Sequence, residues 1–188
     1  IMRRIGEQAL TFRIPAVVEG EVNYIDPDEF LGQWVVLSFV PGLGQSERAL
    51  WDEQGKDMEE HGAALLLVPV ETQALYLERS LRRGRVHFTI VGDPLGRLQR
   101  LYGGPTTHSS GRARTFLIDP DGILRFHLLH SLNERGMAAL MELLQAFRDQ
   151  EISALVCCYP GPCAIRDGYD RAWLRVVSTQ GLLTAWLE

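Results

Sequence analysis

The stretch WVVLSFVPGLGQSERAL, residues 34–50, joins a wholly apolar segment to a charged one. Its apolar part, residues 34–39, has the length and composition of a strand that is covered on both faces of a sheet. Apolar side chains then recur at helical intervals over residues 46–61, so we expect an amphipathic helix with Ser46 as its N-cap and Gly62 beyond its end. The only nucleophile at the corner between strand and helix is the hydroxyl of Ser46.

Strands and helices alternate along the rest of the chain. Asp119, Pro120, Asp121 and Gly122 are typical turn residues between two apolar runs, which predicts an antiparallel hairpin. A parallel crossover in the first half and this hairpin in the second predict one mixed sheet flanked by helices, a three-layer α/β fold of the thioredoxin type. The other predicted elements are strands at residues 63–70 and 87–91 and helices at 74–83, 94–102 and 133–147, the last capped by Asn133.

Composition limits the function classes. A chain of 188 residues, 46% hydrophobic and 23% charged, is large enough for one domain with a proper core. Its net charge of −5 argues against a nucleic-acid surface, because phosphate binding needs a concentrated positive face. No segment approaches the ~18 apolar residues of a membrane span, and the opening IMRRIGEQ lacks the apolar core of a secretion signal. We therefore expect a soluble cytoplasmic protein that binds neither nucleic acid nor membrane.

Four segments in the same order and spacing resemble the peroxiredoxins, the alkyl hydroperoxide reductase C and thiol-specific antioxidant family. Together they extend the resemblance over roughly residues 6–150, which implies a thioredoxin-like domain at 1–150 and a separate C-terminal arm at 151–188. The segments are FLGQWVVLSFVP from Phe30, DPLGRLQRLYGG from Asp93, TFLIDPDGILRF from Thr115 and GEQALTFRIPAV from Gly6.

The resemblance implies a peroxidatic cysteine in the first turn of the helix that follows the buried strand. There the helix dipole lowers the pKa of the thiol, and the thiolate attacks peroxide. Counting forward from Pro41 puts Arg48 at that place, whereas counting back from Gly62 puts Gly44 there, so the loop is about four residues shorter than in the family. The only nucleophilic side chain between these two positions is Ser46, and its hydroxyl is too weakly acidic to ionise and has no oxidised state equivalent to a sulfenic acid.

The supporting residues of the family site are displaced as well. The family arginine stands about six residues before the hairpin aspartate, a place taken here by Ala113 between Arg112 and Arg114. Either arginine is a candidate for the displaced role, although a shift of one residue turns a strand side chain to the opposite face. The family threonine has no counterpart around Leu43.

The thiols of the chain are crowded into VCCYPGPC, as Cys157, Cys158 and Cys163. One interpretation is a redox switch in which Cys157 or Cys158 pairs with Cys163 across the intervening prolines. A second is metal or cluster binding, although three crowded cysteines with no nearby histidine fall short of a four-ligand site. A third is plain packing of the thiols under the C-terminal arm. We predict neither a metal nor a cofactor.

Two further features bear on partners. The glycines of PGLGQS are compatible with an anion site at the helix N-terminus or with a tight turn alone. We favour the tight turn. Residues 164–188 are too apolar for an isolated tail, so we expect the arm to dock on the core or on a second subunit of a homodimer or larger homo-oligomer.

These observations predict a peroxiredoxin-like protein without the usual peroxidatic cysteine. It would act as a binding or regulatory module for an unknown protein partner, with redox sensitivity in its tail. The alternative is a thiol-dependent peroxidase or oxidoreductase that uses Cys157, Cys158 or Cys163, and a small-ligand carrier is a third hypothesis.

Overall fold

The chain divides into two compact units, residues 1–128 and 129–188. The helix predicted at residues 74–83 lies outside the part of the chain that the structure describes. The structure, a computed structural model, describes residues 4–11, 13–18, 21–70, 86–93, 95–102, 112–149, 152–156, 172–178 and 181–187.

The main sheet is built from β1 (Ile14–Val18), β2 (Glu21–Ile25), β3 (Trp34–Val40), β4 (Ala63–Pro69), β5 (Thr89–Val91), β6 (Arg112–Ile118) and β7 (Leu124–Ser131). Their order across the sheet is β2-β1-β5-β4-β3-β6-β7. The central strand β3 is parallel to β4 and antiparallel to β6. The predicted mixed sheet of a thioredoxin-like α/β fold is therefore confirmed.

The helices of the described residues are a short 3₁₀ helix at Pro27–Phe30, α1 (Gln45–Glu60), α2 (Arg97–Leu101) and α3 (Glu134–Arg148). In the second unit, α3 begins as predicted, because the Asn133 side chain accepts a hydrogen bond of 2.8 Å from the Gly136 N–H. The same unit holds a separate antiparallel sheet in the order β10-β9-β8. Its strands are β8 (Ile152–Val156), β9 (Ala172–Ser178) and β10 (Gly181–Leu187).

β3 is buried on both faces, as its continuous apolar run predicts. On one face Val35, Leu37 and Phe39 belong to a core cluster that includes Phe116 and Tyr102. The rings of Phe39 and Phe116 meet edge to face at 5.7 Å, and those of Tyr102 and Phe116 at 4.6 Å. On the other face Val36, Ser38 and Val40 are fully buried, and Trp51 and Met58 of α1 are buried as well. Since α1 contacts β4, this face is the one covered by the β3–α1–β4 crossover.

α1 is held against the segment that precedes β5. Gly55 lies so close to the backbone of His87 that an added Cβ would meet the His87 carbonyl oxygen. One turn earlier, the Asp52 carboxylate accepts hydrogen bonds from the His87 backbone N–H at 2.6 Å and is 3.1 Å from its Nδ1. A small residue and a carboxylate on one face of α1 therefore fix the position of the helix along β4 and β5.

Two aspartates of the motifs quoted above organise local structure. Asp93 is buried, and its carboxylate accepts hydrogen bonds from the N–H groups of Leu98 and Gln99 in the first turn of α2. Asp119 accepts from the N–H groups of Asp121 and Ile123, which closes the turn between β6 and β7. Gly122 in that turn has φ +80°, a conformation that favours glycine. The predicted hairpin is confirmed.

The β1–β2 hairpin is not among the predicted elements. Its two strands pair antiparallel from Ile14↔Ile25 to Val18↔Glu21. Both strands are short, and four of the five residues of β2 are exposed, so the hydrophobic alternation that marks a half-buried strand is weak. A glycine between two valine-containing runs, at AVVEGEV, is the signal that indicates it.

We predict that Gly55→Ala lowers the free energy of unfolding by about 1–3 kcal/mol, because the added methyl group collides with backbone that cannot move aside. The gain of about 1 kcal/mol in helix propensity acts in the opposite direction. Urea denaturation measures the difference. The neighbouring exposed change Lys56→Ala is the control, with an expected effect within about 0.5 kcal/mol. Equal stability of Gly55→Ala and the unmodified protein would contradict the close approach.

Candidate functional site

The connection between β3 and α1 is short, and its last residue caps the helix through a backbone hydrogen bond. β3 ends at Val40 and α1 begins at Gln45, with Gly44 as the N-cap. Gly44 provides no side-chain cap, and its carbonyl accepts the first helical hydrogen bond from the Arg48 N–H at 3.0 Å. The predicted N-cap, Ser46, is therefore wrong: the short connection starts the helix earlier and places Ser46 within its first turn.

The polar side chains of this first turn interact with each other. The exposed Ser46 hydroxyl donates a hydrogen bond of 3.1 Å to the Glu47 carboxylate. The same carboxylate lies where a side chain on Gly44 would stand, since an added Cβ would meet its oxygen. A negative charge at this place offsets the partial positive charge of the helix N-terminus. The Glu47 carboxylate therefore lies at the N-terminal end of α1, which is the end that favours anions.

Sulfur does not occur in the first turn of α1, which reads Gln45, Ser46, Glu47 and Arg48. The two positions that sequence counting matches to the family cysteine, Gly44 and Arg48, are the N-cap and the residue whose N–H bonds to it. The first cysteine of the sequence is Cys157. Cys157, Cys158 and Cys163 lie outside the described residues.

The two candidate arginines lie on β6, close to the end of β3. Arg114 is the register partner of Phe39. Because side chains alternate along a strand, Arg112 and Arg114 share one face, while Ala113 shares the opposite face with Thr115. Ala113, at the family arginine position, is fully buried. The guanidinium of Arg114 instead lies near His127, whose ring packs edge to face on Phe116 at 5.6 Å.

A buried hydroxyl pair joins β3 to β6 on the Ala113 face. The Ser38 and Thr115 hydroxyl oxygens are 2.7 Å apart, and both residues are fully buried. Sequence reasoning missed this pair, because Ser38 is hidden in an apolar run and its partner is 77 positions away. One hydroxyl donates a hydrogen bond to the other, so this face next to the corner provides packing and a hydrogen bond between strands.

Two histidines near the end of the main sheet are held in their neutral form. Burial lowers the pKa of His127, and the nearby charge of Arg114 lowers it further. Burial lowers the pKa of His130 from the ordinary value of 6.5 to about 4, against a smaller raising effect of its hydrogen bond to the Ser131 carbonyl. Both imidazole rings therefore contribute to packing in the sheet.

Other kinds of site have little support in the described residues. No group of three or more histidine, cysteine, aspartate or glutamate side chains there could hold a metal ion. A cleft with room for little more than one water molecule lies near Val35 and Gly122, at the end of β3 away from the corner. None of the helices in the described ranges is long and apolar enough to cross a bilayer.

Comparisons with known proteins agree with this fold. The sequence matches the AhpC/TSA family over residues 5–127. It is 27% identical over 181 residues to peroxiredoxin TSA1 of Saccharomyces cerevisiae, covering 88% of this chain and 92% of that protein. It is 29% identical over 160 residues to the selenocysteine-containing peroxiredoxin PrxU of Peptoclostridium acidaminophilum, covering 78% of each. The structure is similar to the mitochondrial 2-Cys peroxiredoxin from Plasmodium falciparum, with a TM-score of 0.62, 19% identity and coverage of 80% of this chain and 99% of that one.

The Glu47 carboxylate is expected to stabilise the start of α1. Glu47→Gln removes the charge but keeps the shape, and we predict a loss of about 0.5 kcal/mol in the free energy of unfolding at low salt. The matched control is Glu59→Gln in the last turn, where a carboxylate faces the negative end of the dipole, so that change should leave stability equal or slightly higher. Urea denaturation at low and high salt measures both. Losses of the same size at both positions would contradict the assignment.

The buried His130 predicts a loss of stability in acid. The pKa of His130 in the folded protein, about 4, lies below the ordinary value of 6.5, so the unfolded chain binds a proton more readily. The free energy of unfolding is therefore highest above pH 6.5 and falls as the pH decreases toward 4. The shift corresponds to about 3 kcal/mol when the full range is crossed. Urea denaturation at pH 7 and pH 4.5 measures it.

His130→Gln should remove most of this pH dependence, whereas His61→Gln, at the exposed end of α1, should retain it. An unchanged acid slope in His130→Gln is the outcome that would contradict the prediction.

Proposed function

The chain belongs to the AhpC/TSA family, the family of the peroxiredoxins, and from that premise we propose that it is a member without a peroxidatic thiol, which acts as a binding or regulatory module. One observation carries the proposal. The first turn of the helix after the buried strand contains Gln45, Ser46, Glu47 and Arg48, and the Glu47 carboxylate lies over Gly44.

The chemistry of the corner supports this proposal. Peroxide reduction needs a nucleophile that forms a bond to one peroxide oxygen while the other leaves, and a thiolate is suited to this step. A serine hydroxyl at the same place stays protonated, and a carboxylate forms no stable product that corresponds to a sulfenic acid. The Glu47 carboxylate also places negative charge where a thiolate would need positive potential. Peroxide therefore meets no attacking group at the corner.

The tail cysteines are the remaining redox groups of the chain. We propose that Cys157 or Cys158 forms a disulfide with Cys163 when the protein is oxidised: two thiols lose two protons and two electrons to a peroxide, which becomes water and an alcohol or a second water. The regulatory module would sense oxidants slowly in this way. The alternative function is a thiol peroxidase in which one of these three cysteines reacts fast, and family membership is the observation in its favour.

We propose a thioredoxin-like domain over residues 1–150 and a C-terminal arm over 151–188 that docks on the core or on a second subunit. The apolar composition of residues 164–188 supports such docking. We further propose that the protein works in the cytoplasm as a homodimer or larger homo-oligomer that binds a protein partner.

Stopped-flow mixing with hydrogen peroxide tests the proposed function. Peroxide consumption is measured for the unmodified protein, for Cys157→Ala/Cys158→Ala/Cys163→Ala and for Ser46→Ala. We expect all three to lack a fast phase, with the unmodified protein reacting no faster per thiol than free cysteine under the same conditions. Peptide mapping without reductant then identifies the slowly formed disulfide.

Each other outcome is informative. Fast turnover that disappears only in the triple variant would overturn the proposal in favour of the thiol peroxidase. Fast turnover that disappears in Ser46→Ala would assign the chemistry to the corner. It would overturn both the slow disulfide proposed for the tail cysteines and the alternative in which one of them is the peroxidase thiol.

A further inference from the structure

The outer edge of β2 presents backbone groups that β1 does not use. Among the strands that the structure describes, β2 stands at one end of the main sheet and pairs on one side only, with β1. The Pro15 carbonyl of β1 accepts a hydrogen bond of 2.8 Å from the Gly92 N–H, on the β5 side. Pro15 and its register partner Tyr24 are therefore a non-hydrogen-bonded pair. By the alternation of the ladder, the N–H and C=O groups of Tyr24 and of Val22 point outward.

The side chains beside this edge are apolar and exposed, and the edge lacks the usual protection. Natural proteins commonly protect an edge strand with a proline, a lysine or a β-bulge. β2 reads EVNYI and pairs with β1 in an unbroken register, so it has none of these features. Val22 is 59% exposed and Tyr24 is 68% exposed, on the face opposite the buried Ile25. The edge thus combines outward backbone groups with two apolar side chains.

The charge around this edge is acidic. Residues 21–30, EVNYIDPDEF, contain four acids and no basic residue. Asp26 is paired with Arg13 at 3.2 Å, whereas the other three acids are exposed. A second copy of β2 would bring an identical acidic segment to the edge, so charge disfavours that occupant. A strand with basic residues at its ends complements the acids that flank Val22 and Tyr24.

We propose that the outer edge of β2 binds an extended segment of a different protein as an additional antiparallel strand. The segment carries β-branched or aromatic residues opposite Val22 and Tyr24, with basic residues on both sides. Each of these two apolar residues exchanges a pair of N–H···O=C hydrogen bonds with β2, and its side chain lies on the exposed face. The inference names the partner class for the binding role proposed above, and it rests on that role.

A labelled synthetic peptide, KKTVTVKK, tests the mode of binding by fluorescence anisotropy. In the proposed register its two valines lie opposite Tyr24 and Val22, and their amide N–H groups donate to β2, whereas the threonine N–H groups point away. N-methylation of both valine amides removes these donors and keeps the side chains and the charge. We expect it to weaken binding at least tenfold, while N-methylation of both threonine amides weakens binding less than threefold.

Three results of the peptide experiment would overturn the proposal. Equal losses from the two N-methylated peptides would mean that charge alone binds the peptide. A loss confined to the threonine-methylated peptide would contradict the assignment of outward groups on β2. An unmodified peptide that does not bind at millimolar concentration would contradict the site itself.

A change in the protein provides an independent test. Val22→Pro removes the outward N–H of Val22 and leaves the ladder to β1 intact, since an edge strand tolerates proline where its N–H faces solvent. Val22→Thr retains that N–H and is the matched control. We expect at least tenfold weaker peptide binding for Val22→Pro and less than threefold for Val22→Thr, with thermal unfolding used to check that both are folded. Unchanged affinity in a folded Val22→Pro would contradict the proposal, and the N-methylated peptides test it without any variant.

Two further measurements separate the proposal from its neighbours. If β2 paired with a second copy instead, Val22→Pro would lower the sedimentation coefficient of the protein, and that result would overturn the proposed occupant. We expect the coefficient to stay unchanged. Peroxide consumption by the same samples distinguishes this inference from the proposed function. Peptide binding together with fast consumption would support the edge site and overturn the absence of a peroxidatic thiol, whereas slow consumption without peptide binding would do the reverse.

Discussion

Burial of β3 on both faces and pairing of both its edges is the constraint on which the rest of the first unit depends. Parallel pairing with β4 requires a crossover helix, and α1 supplies it. Antiparallel pairing with β6 joins the hairpin of the second half to the same sheet. Because both faces of β3 are filled, the strand cannot shift along its neighbours without moving apolar side chains out of the core. The position of the corner after Val40 is fixed as a result.

The residues at that fixed corner are the basis of the proposed difference from a peroxide-reducing relative. Gly44 is the N-cap of α1 and Gln45 is its first residue. The Glu47 carboxylate lies over Gly44. On β6, Ala113 lies on one face of the sheet, while Arg114 lies on the other face near His127. We propose that the scaffold is retained while the residues at the corner no longer provide a thiolate. Retention of the fold without the reacting group is consistent with a role in binding or regulation.

The sequence predicts this architecture well where the pattern is strongly periodic. The apolar run of β3, the Asp119 turn and the Asn133 cap all have a local physical cause, and each is found where expected. The start of α1 is less predictable: serine is a better N-cap than glycine by intrinsic preference, but the short connection from Pro41 determines where the chain first turns into the helix. The Ser38–Thr115 pair depends on the register of two strands far apart in sequence. The orientation of Arg114 toward His127 depends on the same tertiary arrangement, so neither can be inferred locally.

The central claim is that no sulfur atom reaches the first turn of α1. The anomalous signal of sulfur in a crystal of the reduced protein tests it most directly, because the peaks of Cys157, Cys158 and Cys163 can be located independently of the chain trace. The account predicts that none of these peaks lies within contact distance of Gly44 or Glu47. A peak from Cys157 or Cys158 against that turn, from the same chain or from a second subunit, would contradict it and would restore an attacking group to the corner.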